Sequence, residues 1–483
     1  MTVPLVPAPQ HVTVDEDAPR APLRAEHVDG LVRALAPWAP RAARLATGLH
    51  AAVARTTPGE SAGAGPAGFG VRADLDASLP AEGYTLLLSA DRWELRAADE
   101  AGAFWAVRTV EQAVRDGSVP TMEVTDSPTY AVRGVMLDVA RHFLDVVAVK
   151  RVVDLASAYR LNQLHLHLTD DQGWRIEIEG RPLLTERGAA NDVDGGTGGF
   201  FSLDDYAHLQ KYAAERHVVV VPEVDLPGHT HAAQVAYPEV SPDGVEREPY
   251  AGIEVGFSTV AVDADATWAL VEDVVASLAR HTVGDTIHLG GDEALVLERD
   301  DYVRFVERLG RVAASHGKRL TLWQEATGAD LPDGTLLQYW TWQIDTDHLA
   351  RAAREDGALF VASPANHAYL DQKYDEDFPL GLTWAGTVSL EDAYAWDPVA
   401  ELPGVPAASV VGVEACLWTE TIRTLDDVTT MLLPRLPAVA EVAWGSPQDF
   451  DRFRATLPAH GAWWDDAGLA FHRVDGVEWD EGH

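Results

Sequence analysis

Cysteine is nearly absent from this chain: Cys416 stands alone among 483 residues. No intramolecular disulfide can form, and a cysteine-rich metal site is excluded. Bases are scarce as well, with 37 Lys and Arg against 76 Asp and Glu and a formal net charge of −39. A field of that sign repels nucleic acid and anionic membranes, and it disfavours polyanionic polysaccharides as substrates. No apolar run reaches the roughly 18 residues needed to cross a bilayer. The start, Met1 to Pro9, offers neither a basic segment nor a long apolar one, so it does not read as a leader. The expected location is cytoplasmic, or extracellular if a leader has been trimmed. No internal repeat of fixed period is present.

What is there is enough apolar material (47%) to bury a sizeable core. The length suggests two to three units, or one large barrel with an added domain. The first 128 residues differ in texture from the rest. A Gly/Ala/Pro/Ser-rich loop is expected over 56–68, two strands over 84–88 and 93–97, and then a helix carrying Ala103, Phe104, Ala106, Val107, Val110 and Val114. A boundary falls at Asp126-Ser127-Pro128. This divides the chain into a small N-terminal α/β domain, 1–128, and a second domain, 129–483.

From 131 onward short apolar segments alternate with helical ones. Strands are expected at 134–138, 163–168, 218–221, 286–289, 320–323, 336–340, 359–362 and 411–417. Helices are expected at 146–159, 203–215, 264–280, 302–316 and from 426 towards 441. Nearly continuous apolar strands of this length are what a parallel sheet covered on both faces requires. The fold class is therefore α/β: a (β/α)8 barrel preceded by a small α+β domain, with a last helix around Phe453, Leu457 and Trp463-Trp464 docking on the barrel.

In such a barrel the chemistry gathers at the C-terminal ends of the strands. The expected strand ends lead into Thr169-Asp170-Asp171, into Glu223-Val224-Asp225 with His229, into Asp292-Glu293, to Trp323, to Trp340-Thr341-Trp342, to Tyr369-Leu370-Asp371 and to Trp418-Thr419-Glu420. The clearest case is His288-Leu289-Gly290-Gly291-Asp292-Glu293, where two glycines end an apolar run and deliver adjacent carboxylates. Adjacent acids repel, so one of them tends to keep its proton and can act as a general acid beside a fixed charge. Tryptophans alternating with carboxylates suit a pyranose, whose C–H faces pack on rings while its hydroxyls donate to acids. The pairs His165/His167 and His229/His231 have the spacing from which metal-dependent amidohydrolase sites on barrels are built, and that remains the competing enzyme class. No complete ligand set accompanies them; His167 orienting Asp170 or Asp292, and His229 bonded to a carboxylate, explain the same positions. No metal and no cofactor are expected.

The segment Arg133-Gly134-Val135-Met136-Leu137-Asp138-Val139-Ala140-Arg141-His142-Phe143, together with His167 to Trp174, Pro222 to His229, His288 to Glu293 and Trp418-Thr419-Glu420, resembles glycoside hydrolase family 20. That family consists mainly of β-N-acetylhexosaminidases. The likeness runs in order over 131 to about 445, and the first 128 residues resemble, more loosely, the small domain that precedes this barrel. The resemblance implies an exo-acting enzyme that removes terminal β-linked N-acetylglucosamine, or N-acetylgalactosamine, with retention through an oxazoline. A catalytically inactive carbohydrate-binding protein is the other alternative. It also implies roles. Glu293 is the acid and base, protonated at rest; Asp292 stays ionised against the acetamido group; Tyr369 donates to the acetamido oxygen. Trp323, Trp340 and Trp418 wall the sugar, Arg133, Asp371 and Glu420 hold its hydroxyls, and Asp170, Asp225, His229 and His167 support the pair. Arg133 precedes the first barrel strand, so its side chain has to reach the sugar from there. The expected partner is a small glycan, with no nucleic acid and no membrane, bound by a monomer or homodimer.

Overall fold

Runs such as Leu-Leu-Gln-Tyr and Leu-Phe-Val-Ala are too short for helices and too apolar for exposed strands, so they can be buried only inside a sheet covered on both sides. In a computed structural model, which describes residues 3–54 and 69–479, eight of them form β1 Val132–Asp138, β2 Gln163–His167, β3 Val219–Glu223, β4 Thr286–His288, β5 Arg319–Trp323, β6 Leu336–Tyr339, β7 Leu359–Ala362 and β8 Val410–Leu417. Each pairs in parallel with the next, and β8 pairs with β1 to close the barrel. The expected strands match these to within one or two residues.

Helices Val146–Ala158, Leu203–Ala214, Asp265–His281 and Arg299–Ser315 cover the outside, as expected. Asp145 caps the first by accepting from Ala148 N, and Ser202 caps the second through a reciprocal box with Asp205. The stretch expected as one helix from 426 towards 441 is two, Leu425–Leu432 and Arg435–Trp444. Pro434 stands between them; it has no N–H to donate and restrains Leu433 away from helical angles. Between β5 and β6 there is no full helix, only the 3-10 turn Gln324–Ala326.

The N-terminal domain is a five-stranded sheet in the order His11–Val14, Met122–Asp126, Tyr84–Leu88, Arg92–Ala97, Gly70–Leu75. It buries one face against the helix Glu100–Ala113, and Met122–Asp126 alternates buried and exposed as a one-sided sheet should. The loop expected at 56–68 lies outside the described residues. Trp444, at the end of a barrel helix, belongs to the apolar core of this domain, and its Nε1 donates to Asp126 at 2.9 Å. Arg160 pairs with the same Asp126 at 2.8 Å, which fastens the domain to the base of the barrel. The final helix, Phe450–Asp466, docks as expected, with Trp464 Nε1 donating to Tyr159 Oη at 2.9 Å.

Candidate active site

β4 ends at His288, and the next residues turn sharply. Gly290 and Gly291 have φ of +68° and +105°. A Cβ on Gly290 would lie 1.6 Å from Asp225 Oδ1, so only glycine lets that carboxylate come in and accept from Gly291 N at 3.0 Å. Tyr302 steadies the turn by donating to the Gly291 carbonyl at 2.6 Å. Glu293 then adopts φ +43°, a left-handed conformation that costs a non-glycine residue energy and marks a site held by its surroundings. The result is two adjacent acids in unlike settings. The Asp292 side chain is 10% exposed, whereas that of Glu293 is 28% exposed. Glu293 is thus the one that solvent and a leaving group can reach.

Asp292 is held by charge. Burial pushes its carboxyl up, His229 opposes this, and Glu293 adds to the rise. Asp225 is pushed well above the usual carboxylate range, by burial and then by Asp292. Asp225 Oδ2 and Asp292 Oδ1 are both buried and without a hydrogen-bond partner among the described residues. One proton held by Asp225 and directed at Asp292 satisfies both and leaves the negative charge on Asp292. This differs in one respect from the expectation that Asp292 is simply ionised: its charge depends on a neighbour keeping a proton.

Behind the pair, His229 Nδ1 contacts Asp170 Oδ1 at 3.1 Å, while its Nε2 lies 3.5 Å from Glu293 and 3.7 Å from Asp292. His229 also sits at a positive φ, +55°. Burial disfavours its charge, but Asp170 and Asp292 outweigh burial and hold the imidazole well above its ordinary range. Asp170 is stabilised as the anion: against the cost of burial stand Arg141, His229 and a hydrogen bond from His167. His167 Nε2 meets Asp170 Oδ2 at 2.7 Å, so it orients Asp170 and not Asp292. Asp170, His229 and Glu293 form a line along which a proton charge can be balanced.

The walls are aromatic. Trp323 and Trp418 rings lie 6.0 Å apart, Trp340 stacks on Tyr369 at 6.3 Å and 16°, and Tyr369 lies 6.1 Å from Trp418. Trp384, from the segment after β7, crosses Trp340 at 5.9 Å and Tyr369 at 5.8 Å, and half of it is exposed. At the polar end Asp371 accepts from Gln372 Nε2 at 2.7 Å, and burial followed by repulsion from Glu420 pushes it up to about 8.

Below the pocket the Glu223 carboxylate is surrounded by His165 Nε2 at 3.0 Å, His288 Nδ1 at 3.0 Å, Trp323 Nε1 at 2.8 Å and His167 Nδ1. His165, Glu223 and His288 lie close enough to share an ion, as do His167, Glu223 and Asp225; Asp170, Asp171 and His229; and Asp225, His229 and Asp292. Ion pairs and hydrogen bonds account for the approaches around Glu223 and Asp170, while Asp225, His229 and Asp292 are drawn together by charge, with His229 Nε2 3.7 Å from Asp292. Both nitrogens of His165 face carboxylates, Glu223 and Glu414, and both of His167 face Glu223 and Asp170. His231 is turned away, with Nε2 on the Glu248 carbonyl.

All but one of the expected residues meet in this pocket or directly behind it. Arg133 does not. It stands at the opposite end of β1, where Nε donates to the Arg160 carbonyl at 3.0 Å, NH1 to the Tyr130 carbonyl at 2.8 Å and NH2 to Glu82 at 2.6 Å. The strand runs away from it, and no side chain spans a barrel. Arg141, just past the other end of β1, occupies the rim: NH2 meets Asp170 at 2.8 Å, and the guanidinium lies 4.8 Å from the centre of the Trp418 ring. Glu325 and Trp384 are the other rim residues that sequence reasoning passed over.

A barrel whose rim combines tryptophans with adjacent carboxylates, one buried and one reachable, has the makings of a glycoside hydrolase site. The family model of the glycosyl hydrolase family 20 catalytic domain matches residues 130–447, and that of domain 2 of the same family matches residues 2–127. A β-N-acetylhexosaminidase of Cellulomonas fimi is 45% identical over 418 residues, covering 85% of this chain and 84% of its own. Among solved structures, the family 20 β-N-acetylhexosaminidase of Streptomyces coelicolor A3(2) superposes with a TM-score of 0.88 at 37% identity, covering 99% of both chains. A mutant Streptomyces plicatus β-hexosaminidase in complex with its product GlcNAc does so at 0.89 and 37%, covering 99% of this chain and 98% of its own. The chain belongs to glycosyl hydrolase family 20 and is a glycoside hydrolase of the β-N-acetylhexosaminidase type.

Proposed function

We propose that the enzyme removes single N-acetylglucosamine residues from the non-reducing ends of β-linked glycans, with the sugar's own 2-acetamido group as nucleophile. The observation that carries this reading is the adjacency of Asp292 and Glu293 on one backbone turn. Glycosidases that supply both carboxyl groups hold them across the scissile bond, roughly 5–5.5 Å apart when retaining and roughly 6.5–9.5 Å apart when inverting. Neighbouring residues on one side of the sugar do not straddle it, so the attacking atom has to come from elsewhere. Asp292 Oδ2, the oxygen left free of the Asp225 proton and 3.7 Å from His229 Nε2, is the one that accepts the acetamido N–H.

On this scheme Glu293 donates a proton to the leaving oxygen as the acetamido oxygen attacks C1 and the glycosidic bond breaks. Asp292 holds the acetamido N–H and offsets the positive charge of the oxazolinium ring, and the Tyr369 hydroxyl donates to the acetamido oxygen. Glu293, now a carboxylate, takes a proton from water as it opens the ring at C1, restoring the configuration and the acid. Trp323, Trp340 and Trp418 exclude water from the acetamido group. Arg141, Asp371 and Glu420 take the 3-, 4- and 6-hydroxyls, so that the far end of a single sugar is met by side chains, as exo action requires. N-acetylgalactosamine, with its 4-hydroxyl inverted, is accepted to the extent that Arg141 and Glu420 tolerate the change.

The test is turnover of aryl β-N-acetylglucosaminide against aryl β-glucoside, with a thiazoline mimic of the oxazoline as inhibitor. The acetamido sugar alone should be cleaved, and the thiazoline should bind tightly. Comparable cleavage of the glucoside, or indifference to the thiazoline, defeats the reading.

A further inference from the structure

The two residues that follow β5 have no role in the scheme above, yet they face it. Gln324 and Glu325 lie in the 3-10 turn that replaces a helix at this point of the barrel. Gln324 Oε1 accepts from the backbone N–H groups of Trp340 at 2.8 Å and Thr341 at 3.2 Å. The Trp340 indole Nε1 lies 3.1 Å and 3.3 Å from the two carboxyl oxygens of Glu325. Both N–H groups of Trp340 therefore end on this one turn. The indole needs such a hold, because it is only half-buried and its neighbours, Tyr369 and Trp384, are rings that offer contact but no directional bond. An indole anchored at its N–H keeps one rotamer; released, it can swing into the space meant for the sugar.

We infer that Glu325 is a positioning residue for the hydrolysis, fixing the Trp340 indole as a wall of the sugar pocket through its carboxyl group. The inference rests on the reading of that pocket given under Proposed function. A carboxyl group here has a second consequence that an amide lacks. Burial, then Asp292 and then, once it has given up its proton, Glu293 push Glu325 up to about 8, so near neutral pH it keeps its proton and sets no further negative charge beside Asp292. The groups facing it are Asp292 and Glu293 from the end of β4, and Tyr302 and Arg299 from the helix Arg299–Ser315. Arg299 does not neutralise it directly, since NH1 donates to the Glu325 backbone carbonyl at 2.8 Å. Above about pH 8 Glu325 ionises and sets a negative charge beside the reacting pair, which opposes loss of a proton from the site and extends activity on the alkaline side.

The experiment compares the wild type with Glu325→Ala and Glu325→Gln, measuring kcat and KM on an aryl β-N-acetylglucosaminide across pH. Glu325→Ala should lose about tenfold or more in kcat/KM, with KM raised as the wall loosens. Glu325→Gln still accepts from the indole and should recover to within about threefold near neutral pH, while its alkaline limb moves to lower pH. Either failure overturns the inference: no recovery in Glu325→Gln, or an alkaline limb that stays in place. Should Glu325→Ala not fold, the pH profile of Glu325→Gln against wild type decides alone. If the wild type itself leaves the substrate untouched, the reading of the pocket fails instead, which is a distinguishable result.

Discussion

Arg133 and Arg141 are eight residues apart and stand at the two ends of the same strand, β1. Both are buried, at 0% and 3% exposure. Each guanidinium lies over a tryptophan, Trp444 at 5.1 Å and Trp418 at 4.8 Å, and each meets a carboxylate, Glu82 at 2.6 Å and Asp170 at 2.8 Å. What separates them is satisfaction. Arg133 spends Nε, NH1 and NH2 on two carbonyls and Glu82. Arg141 keeps a buried Nε without a partner among the described residues, and it faces Asp170, Asp138, Glu420 and Asp171 at once. Fully paired charge at the base of a barrel holds domains together; surplus charge and open donors at the rim await a ligand.

Turnover should therefore be lost at the rim, and stability without turnover at the base. The largest effect is expected for Glu293→Gln, which removes the proton carrier without changing shape: kcat should fall by about 10²–10⁴ while the melting temperature stays near that of wild type. A variant that keeps more than a tenth of wild-type turnover would take Glu293 out of the chemistry. Next comes the pair of arginines. Arg141→Met should lower kcat/KM roughly 10- to 100-fold through lost charged hydrogen bonds to the sugar. Arg133→Met should leave kcat/KM within about threefold but cost roughly 2 kcal/mol or more in stability by stranding Glu82. Parallel denaturation and kinetics on both variants would break the comparison if Arg133→Met lost turnover as Arg141→Met does.

How much of this could be read beforehand follows the same line. The barrel strands are legible because two-sided burial forces apolar runs, and the Asp292-Glu293 turn because Gly-Gly before two acids is a local pattern. Arg133 and Arg141 lie in one short motif, and which of them faces the rim depends on strand direction and on where the strand stops. That information is tertiary. Glu325 is harder still, since nothing in Trp-Gln-Glu-Ala shows that the chain turns instead of entering a helix, bringing this acid towards Asp292. In the N-terminal domain, Gly70–Leu75 is not legible because an edge strand carrying Arg72 and Asp74 lacks the apolar signal of its central neighbours. Helices Ala25–Leu35 and Pro40–Thr47 are not among the expected elements either.

A smaller effect concerns acid. Asp170 is held well below the ordinary carboxylate range, because Arg141, His229 and His167 together outweigh the cost of burying it. A depressed folded-state value stabilises the fold above the unfolded value of about 4, and this contribution disappears as pH falls through the folded value. Asp170→Asn lacks that titration. Its melting temperature should lie below that of wild type at neutral pH and should fall less steeply from about pH 5 to about pH 2, so that the two curves converge. Parallel curves would mean that Asp170 shares its charge differently from what its contacts imply.

The smallest expected effect is none. His165, Glu223 and His288, with His167 and Asp225 beside them, have the donor types and spacing of a metal site, and this cluster supports Trp323 from below. If an ion held it together, a chelator would loosen the Trp323 wall and depress both kcat/KM and the melting temperature. The alternative is that His165 and His167 are themselves the cations, while burial lowers His288 and keeps it a neutral donor. Glu223 is drawn well below its usual range by His288, His167 and His165 against the cost of burial, while His165 is pushed up to about 9 by Glu414 and Glu223 despite that cost. Protonated imidazoles then do at the pocket floor what Arg160 does for Asp126 at the base: they neutralise a buried acid and fix its neighbours. Turnover and melting measured with and without a strong chelator should be indistinguishable. A loss of either that zinc restores would make the floor a metal site and return the amidohydrolase-like histidine pairs to consideration.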